Sequence, residues 1–189
     1  MTYSIVQPPF SLKFREMPKA ELKAYFKWFA EVLPQRVAEL ESEIRRSSTH
    51  ATWHADFSRE SLGGLGESFA AEVQTRAKSG EEILAATTKL TFPIEVPAEQ
   101  LTNRTFSLAM DAGMYFSQVI LKNLGGTSWD QALRNERFAD YGQPAIMGFG
   151  SVPLNPVRVL VIVAYRVAND KEGEKPLLEL YDTWAAMRQ

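Results

Sequence analysis

Apolar residues recur at helical spacing through the first part of the chain: Leu22, Phe26, Phe29 and Leu33, then Val37, Leu40 and Ile44. Pro34 interrupts the stripe. The pattern therefore predicts two nearly continuous helices ending near Arg46, with Pro18 opening the first and Pro34 the second. Ahead of them, Pro8-Pro9 and the alternation Phe10-Ser11-Leu12-Lys13-Phe14 predict a short edge strand. Residues 47–57 read as a loop. A further helix follows, with Ser58 as its N-cap, an apolar face of Leu62, Leu65, Phe69 and Val73, and a stop at Ser79-Gly80. Glu81 to Lys89 reads as a short helix, and Pro93 and Pro97 keep the next stretch extended.

Leu101 to Leu124 is the most apolar helical pattern. Thr102 is its candidate cap and Gly125-Gly126 its stop. Apolar residues cover so much of its circumference that it is expected at the centre of the fold, with a narrow polar stripe of Arg104, Ser107, Asp111, Gln118 and Lys122. Beyond Trp129 the residues turn β-like. Ala145–Phe149 and Val157–Ala168 are rich in Val and Ile, and the loop between them suits a hairpin. Residues 169–175 make a charged turn, and Leu177, Leu180, Tyr181 and Trp184 mark a closing amphipathic helix. The expected architecture is α+β: a mostly helical single domain over residues 1–189, with a small antiparallel β-sheet near the C-terminus.

Composition narrows the function more than any motif does. The 189 residues include two histidines and no cysteine. Histidine is the usual general base near neutral pH, and histidine or cysteine leads most zinc sites. The lack of cysteine also excludes disulfides and thiol catalysis. A net charge of -2 gives no overall attraction to nucleic acid or to an anionic membrane. The first residues lack a basic region and a long apolar run, and no stretch is long and apolar enough to span a bilayer, so a cytoplasmic location is expected.

Several constellations carry candidate chemistry. His50 and His54 stand four apart, with Asp56 as a possible third metal ligand, yet their Ser- and Thr-rich surroundings suit two loop histidines equally well. Gly63-Gly64-Leu65-Gly66 has the glycine content of a phosphate loop but no Lys-Ser/Thr pair, and close helix packing is the simpler explanation. Asp111, inside the apolar helix, is either a raised-pKa acid with Asp140 as its companion or a structural acceptor for an arginine. Gly148-Phe149-Gly150-Ser151 lacks the setting of a nucleophile elbow. Trp28 lies at the edge of the first helix's apolar face beside Lys19, Lys23 and Lys27, where it could anchor a partner or close the core.

Three stretches carry a family likeness. Trp53-His54-Ala55-Asp56-Phe57-Ser58-Arg59-Glu60-Ser61-Leu62, Ala139-Asp140-Tyr141-Gly142-Gln143-Pro144 and Tyr25-Phe26-Lys27-Trp28-Phe29 resemble a group of uncharacterised bacterial single-domain proteins. Those proteins look like immunity partners that neutralise toxins of interbacterial competition. The resemblance implies a protein-binding module whose partner is a bacterial toxin. The sequence offers no nucleophile-base pair, metal set or cofactor loop, so a non-enzymatic, cytoplasmic protein is expected, with no cofactor and no nucleic-acid or membrane partner. The expected partner-binding residues are Trp28, Trp53, Asp56, Glu60, Trp129, Asp140 and Tyr141. The alternative is an enzyme using Asp111 with Asp140, or a metal on His50, His54 and Asp56. A homo-oligomer packed through Trp184 is a third possibility.

Overall fold

The computed structural model describes residues 3–88, 96–170 and 175–188. Helix α1 runs unbroken from Lys19 to Ile44, with Pro34 inside it. The two helices expected there are thus one. Pro34 is exposed, so its missing N–H and its ring fall on the solvent side, while Leu22, Tyr25, Phe29, Leu33, Val37, Leu40 and Ile44 form one buried stripe. That continuous stripe outweighs the local penalty. A short 3-10 turn (Ser48–His50) and a loop lead to α2 (Ser61–Glu72), which buries Leu62, Leu65 and Phe69. Helix α2 stops earlier than Ser79: β1 (Thr75–Ala77) intervenes before α3 (Gly80–Thr88), and β1 pairs antiparallel with β2 (Glu99–Leu101). The expectations for Lys89 and Pro93 lie outside the described residues, as does the middle of the 169–175 turn.

Helix α4 (Asn103–Asn123) is the central element. Thr102 caps it by accepting the Thr105 N–H, and residues on nearly every side of it are buried. It packs against α1, α2 and, most extensively, α5 (Pro156–Ala168). Between these helices, β3 (Ser128–Gln131) and β4 (Pro144–Met147) form a second antiparallel pair. Helix α6 (Pro176–Ala186) closes the fold against α2. The whole is a mostly helical α+β architecture with two small antiparallel sheets.

Residues 157–168, expected as a strand, are the helix α5. Asn155 accepts the Arg158 N–H and Pro156 occupies the first helical turn, so the start signals override the β preference of Val and Ile. Leu160, Val163 and Ala164 then face the core. The preceding loop still folds back as a hairpin would, but for a single bridge, Ile146 with Leu154. The edge strand expected at residues 10–14 is also absent. Leu12 takes a left-handed φ of 59°, which ends the extended alternation there.

The N-terminal arm is instead fastened by a buried polar network. Asp111, fully buried in α4, accepts two bonds from Arg36 of α1, at 2.8 and 2.6 Å, and a third from the Tyr3 hydroxyl. Arg36 also donates to the Ser4 carbonyl at 2.8 Å, and Ser107 Oγ accepts the Val6 N–H at 2.8 Å. Burial pushes the Asp111 carboxyl above the ordinary carboxylate range, while Arg36 and Tyr3 act in the opposite sense. Of the two roles open to Asp111, the structure shows the arginine-paired acceptor.

Candidate binding site

The loop between the 3-10 turn and α2 gathers three of the expected partner-binding residues, Trp53, Asp56 and Glu60. Its conformation is set by one buried side chain. Tyr115, fully buried in α4, accepts the Phe57 N–H at 3.0 Å and shares a 2.7 Å hydrogen bond with Ser61 Oγ. Phe57 stacks on the Tyr115 ring with centroids 5.2 Å apart, and Trp53 meets the same ring edge-on at 5.3 Å. The Trp53 indole N–H donates to the Ser61 carbonyl at 2.9 Å. Two residues near the end of α4 hold the far side: Lys122 donates to the Asp56 carbonyl and Asn123 to the Phe57 carbonyl. Phe57 itself has a φ of 61°, a conformation costly for a non-glycine residue and sustained here by these contacts.

The chain's glycine-rich run is part of this arrangement. It lies within α2, and a Cβ on Gly64 would sit 2.8 Å from Trp53 Cδ1. Close packing of the indole, not phosphate binding, accounts for that glycine. At the surface the loop presents acids. Asp56 is exposed, and its Oδ1 accepts the Ser58 N–H at 2.8 Å. That bond holds the Asp56 carboxyl below its ordinary range, so it carries full charge at neutral pH. Glu60 is exposed as well and lies 3.9 Å from Arg59, which is itself engaged with Asp182 of α6.

The other four expected residues lie elsewhere: Trp28, Trp129 and Tyr141 around the first half of α1, and Asp140 against the start of α5. Trp28 is half-buried against Phe10 and Tyr25, and Trp129 packs edge-on to Phe26 and Phe29. Tyr141 is buried with Met17, Leu22 and Tyr25 and offers almost no surface. Asp140 is buried too, accepting from Asn155 at 3.0 Å and pairing with Arg158 at 3.1 Å. Trp184 packs edge-on against Phe149 of its own chain, with centroids 4.9 Å apart.

The groups proposed for catalysis are not brought together. Asp111 and Asp140 belong to networks that share no residue. His50 faces Glu67, His54 bonds Glu41 at 3.0 Å, and Asp56 turns to Ser58. Among the described residues no three His, Asp or Glu side chains converge as metal ligands, and no helix is long and apolar enough to cross a membrane.

Sequence reasoning found the acids of the loop but missed Tyr115 and Phe57. Tyr115 read only as one more apolar position of the central helix, and a left-handed φ at a phenylalanine leaves no mark in the sequence. Comparisons with known proteins return no matching family model, curated protein or solved structure.

Proposed function

We propose that this chain is a non-enzymatic protein-binding module of immunity type, which neutralises a bacterial toxin by direct contact through the 51–60 loop. The observation that carries this reading is the preorganisation of that loop. A segment with little regular structure is pinned at Asp56 and Phe57 by Tyr115, Lys122 and Asn123 and at its start by Arg45, which donates to the Ala51 carbonyl, and it holds Phe57 in a strained conformation. A loop already ordered loses little conformational entropy when a partner docks. Its exposed acids suit a basic partner and would speed encounter, with the Trp53 edge as the apolar contact beside them.

The acids buried elsewhere support binding over catalysis in the same sense. Asp111 and Asp140 are both engaged in holding elements together, which leaves charge free to act mainly at the surface.

Co-expression with the product of the neighbouring open reading frame tests the proposal. Protection of growth and a stoichiometric complex are expected. Glu60→Lys should weaken that complex about tenfold or more at an unchanged melting temperature, because it reverses a rim charge without touching the core. A purified chain that turns over a substrate, with activity lost in Asp111→Asn or Asp140→Asn variants that still fold, would overturn it. So would full protection by a variant carrying both Asp56→Lys and Glu60→Lys.

A further inference from the structure

A second concavity lies away from the 51–60 loop. The N-terminal arm, the first half of α4, the start of α5 and the turn before β4 enclose a half-open groove of about 380 Å³. Its walls include Val6, Leu12, Phe106, Met110, Gln143 and Val161, and none of its lining residues carries a formal charge. Volume and lining both fall in the range of small-molecule sites, which are mostly apolar with a few placed polar groups.

The placed polar group can be deduced from the network behind it. Asp140 and the Arg158 N–H fix the orientation of the Asn155 amide. Its Nδ2 donates to the Asp140 carboxylate at 3.0 Å, and its Oδ1 accepts the Arg158 N–H at 3.0 Å. The same Nδ2 donates to Gln143 Oε1 at 2.9 Å. Gln143 must therefore present its oxygen to Asn155 and keep its NH₂ for something else. Among the described residues that Nε2 donor has no partner. Of the other buried polar side chains in the lining, Ser107 is already engaged by Val6 and Tyr3, whereas the Tyr25 hydroxyl has no hydrogen-bond partner among the described residues.

We propose that this groove binds a small neutral molecule, mostly hydrocarbon, with one carbonyl oxygen accepting from Gln143 Nε2. An anion would lose its hydration there without gaining a countercharge, whereas a ketone, ester or amide needs only a neutral donor such as Gln143 Nε2. The arm forms the outer wall. It is fastened by hydrogen bonds at Tyr3, Ser4 and Val6 and by the packing of Phe10 and Phe14 on Tyr25, while Leu12 is exposed and left-handed. The proposal goes beyond protein binding by the 51–60 loop and does not depend on it.

Nile red, a neutral dye with a ring carbonyl, is the probe, and its fluorescence reports entry into an apolar site. Saturable binding is expected, with displacement by 2-nonanone at least about tenfold better than by decanoate. Gln143→Glu keeps the oxygen that Asn155 needs but replaces the free donor with an acceptor. It should weaken both the dye and the ketone about tenfold. Val161→Trp should fill the groove and abolish binding. If that variant melts early, Leu12→Trp at the rim serves the same purpose. Equal binding by wild type, Gln143→Glu and a folded groove-filling variant would overturn the proposal, and so would decanoate displacing the dye as well as the ketone does. Toxin protection in the Glu60→Lys and Gln143→Glu variants tells failure here from failure of the partner reading.

Discussion

Arg36 and Asp111 show how much one pair decides. Both are buried, they are joined by two hydrogen bonds, and together with Tyr3 they fasten the N-terminal arm to α1 and α4. A buried ion pair adds little net stability over an apolar pair of the same shape, because both charges lose their hydration. Breaking it is another matter. Arg36→Ala leaves a fully buried carboxylate without its cation, and a loss of about 3–5 kcal/mol in urea unfolding is expected. Replacing both residues, Arg36→Met with Asp111→Leu, should recover most of that loss while freeing the arm. If Arg36→Ala costs no more than a surface substitution, the pair does not hold the arm. The sequence exposed Asp111 as an anomaly in an apolar helix. It could not reveal the partner, since Arg36 lies far away in the chain and its position on α1 reads as the polar flank of an amphipathic helix.

At the scale of elements, α5 carries the clearest lesson. Its Val- and Ile-rich sequence favours a strand, yet it is helical because Asn155 and Pro156 supply a start and because one face finds α4 to pack on. β propensity spans only about 1 kcal/mol and yields to such packing. The contact is close at Gly113, where an added Cβ would lie 2.9 Å from Val157 Cα and 3.0 Å from the Pro156 carbonyl oxygen. Helix propensity alone favours Gly113→Ala by about 1 kcal/mol. The clash is with backbone, which cannot swing aside, so the two helices must separate. A net loss of about 1–3 kcal/mol in chemical denaturation is expected. A stabilised Gly113→Ala protein would mean that α4 and α5 do not pack this closely. The same competition explains α1, where Pro34 breaks a pattern locally but not the stripe of buried residues that runs past it.

In the whole molecule, two groups of buried residues meet. The larger surrounds α4. The smaller, Met17, Leu22, Tyr25 and Tyr141, sits under the N-terminal arm, and half-buried Trp28 packs against both. Because Trp28 bridges them, a single cooperative unfolding transition is expected, with tryptophan fluorescence and circular dichroism coinciding in urea. Two separated transitions would divide the chain into two folding units.

Hydrophobic spacing within the chain determined the mostly helical character, the capped central helix and the closing helix, because local periodicity and capping chemistry act between residues a few positions apart. Tertiary structure alone decided that residues 157–168 coil rather than extend, that Tyr115 orders a loop more than fifty positions upstream, and that Gln143 keeps a donor free beside an uncharged groove. Each of those depends on groups distant in sequence meeting in space, where packing and the satisfaction of buried polar atoms outweigh local preference.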